Sequence, residues 1–274
     1  MVPKILKNPQ AVIGLALIVL ICAVALLAPI LAPNDPNAVD PLLKYQPPSR
    51  QFPLGTDQLG RCELSRLLYG ARASLGLAFP ILILLGGIGL ILGMMTACIG
   101  GRFDQIITGI SQIFIAFPTL IIAVAVIGIL GAGLQNIVWA VVISMWARFM
   151  QLIRTYAKTE LNRDYITAAK VSGCGMWQII FHHLIPNILP QFLVYFSTGV
   201  ASAILTVSSF SFLGLGLPSG TAEWGAMLEE AQTALYSHPE LLIYPGICIL
   251  LAAAGFNLFG EALRDILQPQ EDVL

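Results

Sequence analysis

The chain has 274 residues, 57% of them hydrophobic and only 11% charged, with a formal net charge of −1. With a mean hydropathy of +0.83, this excludes an ordinary soluble domain, in which about a quarter of residues are charged. The near-neutral balance gives no basic field for nucleic acid. The five cysteines contain no CxxC pair, so neither a zinc site nor a disulfide framework is indicated.

The first apolar run, Ala11 to Ala32, carries no charge and as a helix would reach about 33 Å, enough to cross a bilayer. Lys4 and Lys7 precede it, as in a signal peptide, but the run exceeds a typical signal core. Pro29 also follows the only plausible small-residue cleavage site, Ala28. An uncleaved first span is therefore expected. An outer loop, about 33–72, follows. Its early prolines favour extended or turn conformations. Asp57 is then expected to cap a short helix, with Leu64, Leu67 and Leu68 toward the bilayer and Arg61 and Arg66 among headgroups. Residues 1–72 thus read as an N-terminal span with an outer loop and interfacial elbow, and 73–274 as the main transmembrane domain.

Further runs lie at roughly 73–100, 106–131, 134–153, 188–214 and 241–262. The expectation is an all-α polytopic membrane helix bundle of six spans. Gly86, Gly89 and Gly93 fall on one helical face and permit close backbone approach. Pro80, Pro118 and Pro245 are candidate kinks. No charged residue occupies the middle of a span, which argues against a proton-coupled transporter and an intramembrane hydrolase. The adjacent His182 and His183 point to different helical faces, a poor arrangement for ligating a metal. There is no GxxxxGK[ST] phosphate loop, so a driving ATPase has to be a separate chain.

With a cytoplasmic N-terminus, nine lysines and arginines (Lys4, Lys7, Arg102, Arg148, Arg154, Lys158, Arg163, Lys170, Arg264) fall inside. Five (Lys44, Arg50, Arg61, Arg66, Arg72) fall outside. That asymmetry places both termini in the cytoplasm. The segment Tyr165–Asn187 then faces the cytoplasm. A connection this long between spans needs a purpose. Ala168 and Ala169 keep one helical surface flat, and Gly173 permits a sharp turn or close approach. Pro186 marks re-entry into an apolar run. These features suit docking to another protein; an ordinary amphipathic connecting loop is the plain alternative.

A second outer loop, about 215–240, places Trp224, Met227, Leu228, Ala231 and Leu235 at helical spacing opposite Glu223, Glu229 and Glu230. Thr221 is the expected N-cap. A re-entrant or interfacial helix at an external mouth is expected. Its acids (Glu223, Glu229, Glu230) form either a solvated face or a reception point for a cation.

Three blocks together resemble the dipeptide/oligopeptide/nickel permeases of bacterial ABC importers. The first is Leu54-Gly-Thr-Asp-Gln-Leu-Gly-Arg61 with Leu64-Ser-Arg66 and Tyr69-Gly-Ala-Arg72. The second is the 165–187 segment ending His183-Leu-Ile-Pro-Asn187. The third comprises Phe212-Leu-Gly-Leu-Gly216, Glu223-Trp-Gly-Ala-Met227 and Phe256-Asn-Leu-Phe-Gly-Glu-Ala-Leu-Arg-Asp265. The resemblance implies a type I ABC importer permease fold, as the C-type subunit. The partners it implies are a second homologous permease, two cytoplasmic ABC ATPases and an extracytoplasmic solute-binding protein, in a bacterial inner membrane. It implies no catalytic, metal or cofactor site on this chain, with ATP and Mg²⁺ on the partners. An ATPase-coupling "EAA" loop would lie within about 154–187, carried by Thr167, Ala168, Ala169, Gly173, Ile185 and Pro186. The candidate external mouth comprises Glu223, Trp224, Glu229 and Glu230. Thr167 stands where the family commonly has an acid, and Cys62 where it has Asp, with Glu63 next to it. Cys62 with Thr221-Ala-Glu-Trp224 resembles the nickel-type members. A peptide cargo is the alternative; an ATPase-independent channel or a secondary transporter is the alternative from another class.

Overall fold

The computed structural model describes residues 2–131, 133–218 and 220–267. A short helix α1 (Val2–Lys7) leads into α2 (Pro9–Leu31). Asn8 separates them and caps α2, its side chain accepting from the Gln10 and Ala11 amides, with Pro9 in the first turn. After a loop with one 3₁₀ turn come α3 (Glu63–Ile99), α4 (Gly101–Ala116), α5 (Thr119–Leu130) and α6 (Leu134–Leu161). These are followed by α7 (Asp164–Val171), α8 (Met176–Ile179), α9 (Ile185–Phe212), α10 (Trp224–Ala231) and α11 (Glu240–Leu267). Among the described residues there is no strand, only an isolated bridge between Thr56 and Cys62.

Among the described residues, five helical stretches are long and apolar enough to cross a membrane: α2, α3, α6, the run Met176–Phe212 and α11. The pair α4 and α5 makes a sixth if taken together. Two expectations change here. The run 106–131 is not one helix. It breaks between α4 and α5 with a 95° bend, because Pro118 lacks an amide proton and forces Phe117 into an extended conformation (φ −92°, ψ 142°). The helices α2, α3, α9 and α11 continue through Pro29, Pro80, Pro190 and Pro245.

The separate elbow is also absent. Its residues are the first turns of α3, a single helix of 37 residues, about 55 Å long and well beyond the roughly 30 Å of hydrocarbon.

α3 is the central element. It lies along α6 and is flanked by α2 and α9, while α11 packs against α9 and α2. Glycines set these approaches. A Cβ at Gly89 would lie 3.0 Å from that of Phe149, and one at Gly93 would lie 2.8 Å from that of Ile153, so α3 and α6 meet nearly backbone to backbone. Gly14 plays the same part between α2 and α11, where a Cβ would lie 2.6 Å from the Phe259 amide nitrogen. Gly86 instead faces Phe192 of α9. The main core contains Ile81, Leu82 and Leu85 of α3, Ile137 and Phe149 of α6, and Ile204 and Phe210 of α9. A second, smaller core of Met94, Ile153, Ala157, Ile166, Ile179, Leu184 and Ile188 sits at the α7 end.

Candidate functional site

At the α7 end, Ile166 is fully buried in the smaller core and anchors the helix by its back. Thr167, Ala168, Lys170 and Val171 are exposed, and Ala169 is half-buried. The helix stops at Gly173. The Gly173 amide donates to the Lys170 carbonyl and the Cys174 amide to that of Ala169, both at 3.0 Å, the paired bonds of a Schellman turn. Gly173 has φ +87° with open space around its α-carbon. It therefore serves the turn and not a close approach.

The next helix starts where the Gly175 amide donates to Gln178 Oε1 at 3.0 Å. A π turn, Ile180–Leu184, joins α8 to α9. Ile185 and Pro186 open α9, half-buried and exposed respectively. The connection is closed by a clasp that sequence reading missed. Tyr165 donates its hydroxyl to Glu160 Oε2 (2.7 Å) and accepts from Asn187 Nδ2 (3.0 Å), which also donates to the His183 carbonyl (2.7 Å). Partial burial, and after it the bond to Glu160, push the Tyr165 phenol above its usual pKa. Tyr165 and Asn187 stand 22 positions apart, with no helical periodicity that would pair them. Beside the clasp, Trp177 and Phe181 are exposed and stacked at 6.2 Å. With Ile91, Met95 and Ile99 they line an apolar cleft of about 660 Å³.

At the opposite end of α3, the second loop folds into the protein. Glu223, not Thr221, caps α10, accepting from the Gly225 (3.0 Å) and Ala226 (2.9 Å) amides and from Ser74 Oγ (2.9 Å). It is 0% exposed, so the expected solvated or cation-receiving face does not include it. Trp224 is buried, its indole N–H donating to the Leu67 carbonyl. Leu235, expected on the apolar face, is exposed beyond the end of α10.

Glu230 is spent internally too. Its Oε2 pairs with Arg61 and, at 3.0 Å, with Arg66, while Oε1 accepts from the Gly220 amide at 2.8 Å. Asp57 completes the network, 2.6 Å from Arg61 Nε and 3.6 Å from Arg66 Nε. Asp57 also accepts from the Leu59 and Arg61 amides, making a turn and not a helix cap. Arg61 and Arg66 are 2% and 1% exposed. Their expected place among headgroups is thus corrected, because two neighbouring carboxylates, Asp57 and Glu230, hold them inside. Glu229 is half-buried with no ion pair among the described residues. No group of three or more metal-ligating side chains is gathered among the described residues.

Residues 89–272 match the family of binding-protein-dependent transport system inner membrane components, and residues 3–48 match the N-terminal transmembrane domain of oligopeptide transport permease C. The chain belongs to this family of ABC importer permeases. It is 35% identical to the nickel transport system permease protein NikC of Escherichia coli K12, over 94% of this chain and 93% of that one. It is 36% identical to the probable D,D-dipeptide transport system permease protein DdpC of the same strain, over 96% of this chain and 88% of that one. It is 37% identical to the metal-staphylopine import system permease protein CntC of Staphylococcus aureus NCTC 8325, over 97% and 92%. Within this family the protein is an all-α, multi-pass permease subunit of an importer that operates with ATPase and binding-protein components.

Proposed function

We propose that this permease moves its cargo inward by alternating access, driven through the α7 end. The supporting observation is the construction of α7. Its back is fixed by Ile166, its front is exposed, its end is set by the Gly173 turn, and a clasp and a π turn tie it to the spanning helix α9. Force on Thr167, Ala168, Ala169 or Gly173 would reach α9 through Ile185 and Pro186. On this reading two cytoplasmic ABC ATPases bind and hydrolyse ATP with Mg²⁺, this chain binds no cofactor, and a homologous second permease completes the pathway. Both termini are then cytoplasmic, and an extracytoplasmic solute-binding protein delivers the cargo at the α10 end. Relatives named for nickel, dipeptides and metal-staphylopine support nickel, free or chelated, or small peptides as cargo.

Cysteines placed at Ala168 and Val171 in an otherwise cysteine-free chain are expected to crosslink to the ATPase and to resist impermeant thiol reagents added from outside. Crosslinks that never reach the ATPase, or labelling from outside, would overturn the coupling assignment. Uptake that survives deletion of the ATPases would favour the channel or secondary-transporter reading.

A further inference from the structure

At the α10 end a cleft of about 550 Å³ opens between α3 and the two connecting loops. It is lined by Asn37, Tyr69, Arg72 and the chain from Gly220 to Ala222. This volume suits a small solute. Among the described residues no carboxylate lines it.

Arg72 differs from its neighbours Arg61 and Arg66. Arg61 and Arg66 are consumed by Asp57 and Glu230. Arg72 is exposed to the cleft, and among the described residues its guanidinium has no hydrogen bond or ion pair. The Tyr69 hydroxyl and the Asn37 side-chain amide also lack hydrogen-bond partners among the described residues. Three donor groups without a protein partner among the described residues therefore line one concavity.

The depth of Arg72 adds to this. The Asn34 amide donates to Ser65 Oγ at 3.1 Å, which sets Ser65 beside the end of α2, three residues past Leu31. Arg72 lies seven residues farther along α3, about 10 Å back toward the middle of the bundle. A charge at that depth has to face water or a partner of opposite sign. The wall opposite is built and not adaptable, because Gly220 is held at its amide by Glu230 (2.8 Å) and at its carbonyl by Arg66 Nη1 (3.2 Å). The buried ion network therefore shapes the cleft while leaving one guanidinium free to act.

A planar guanidinium fork beside a phenol and a carboxamide matches a carboxylate, which accepts two parallel bonds from the fork and further bonds from neutral donors. A bare divalent cation would meet repulsion at the same point. We infer that the Arg72 cleft is a cargo subsite for a carboxylate, so that the importer receives a peptide or a carboxylate-chelated metal and not a bare metal ion. This rests on the importer reading above and narrows its cargo.

The test uses the complete importer, with its ATPases and solute-binding protein, in proteoliposomes. The probes are ¹⁴C-dialanine, ⁶³Ni²⁺ with excess histidine, and ⁶³Ni²⁺ alone. Arg72→Gln is expected to reduce uptake of the carboxylate-bearing probe that the wild type carries by about tenfold, the scale of a lost charge-assisted pair, with Arg72→Lys in between. The half-saturating concentration of binding protein for stimulating ATP hydrolysis is expected to stay put. Tyr69→Phe, which removes only one donor, is expected to reduce uptake by about threefold, and it carries the test if Arg72→Gln does not assemble. Wild-type uptake rates in Arg72→Gln and Tyr69→Phe would overturn the proposal. So would faster wild-type uptake of ⁶³Ni²⁺ alone than of the histidine-bound ion, or a raised half-saturating concentration, which would assign Arg72 to receptor docking. Wild-type vesicles that carry no probe in an ATP-dependent way would fell the importer reading itself, and this proposal with it.

Discussion

The indole of Trp224 occupies the place where Gly70 has no side chain: a Cβ on Gly70 would stand 2.6 Å from Trp224 Cδ1. The indole N–H reaches the Leu67 carbonyl at 3.0 Å on the same turn of α3. This contact seats α10 among α3, α9 and α11. Gly70→Ala is expected to lower the thermal midpoint of the detergent-solubilised protein by displacing the ring, at about 1–3 kcal/mol. Trp224→Phe gives up the hydrogen bond but keeps most of the volume, at about 1 kcal/mol. Equal midpoints for wild type and Gly70→Ala would contradict this packing.

Glu230 joins two guanidiniums and a backbone amide. Glu230→Gln leaves Arg61 and Arg66 buried against each other with Asp57 as their remaining carboxylate within the network. Breaking a buried pair in this way costs about 3–5 kcal/mol. A large fall in thermal midpoint is expected, and one little changed by salt, since buried pairs are poorly screened. A salt-sensitive loss of a few tenths of a kcal/mol would instead indicate solvent-exposed charges.

Glu223 and Glu229 have parted company. As a buried N-cap, Glu223 is worth about 0.5–2 kcal/mol to α10, and Glu223→Gln is expected to weaken uptake of nickel and peptide probes alike by loosening that helix. Glu229→Gln, which breaks no ion pair among the described residues, is expected to change stability by less than about 0.5 kcal/mol. A nickel-only defect in Glu223→Gln would restore the idea of a cation-receiving mouth.

Gly173 tests the α7 end. Its φ of +87° costs an ordinary residue about 1–2 kcal/mol, more for a β-branched one, whereas Asn tolerates this region. Gly173→Val is expected to abolish most ATP-driven uptake at normal membrane abundance, and Gly173→Asn to retain much of it. Because the space around the α-carbon is open, the Val defect is one of backbone conformation. Full uptake by Gly173→Val would count against the docking role.

The apolar runs were legible in the sequence because a bilayer demands length and apolarity together, and both are local properties. The pairing of Arg61 and Arg66 was not, since Glu230 lies 169 and 164 residues away and nothing local distinguishes a buried arginine from one among headgroups. Proline gave an ambiguous signal: Pro80 and Pro245 sit inside continuous helices, while Pro118 divides two. The start of α3 was misplaced because a charged stretch resembles a loop until its counter-charges are known. That error hid Arg72 among outer residues when it stands well inside a helix. Ala168, Ala169 and Gly173 were visible as small residues at a turn, but Ile166 and the Tyr165–Asn187 clasp required the folded chain.

The turn at Ile180–Leu184, closed by the Ile185 amide on the Ile180 carbonyl, holds one residue more than an α-helical turn would. Absorbing or expelling that surplus residue rotates everything on one side relative to the other by about 100°. On the coupling proposed above, a thrust arriving from α7 would meet a ready-made screw thread, and α9 would answer it by turning about its own axis.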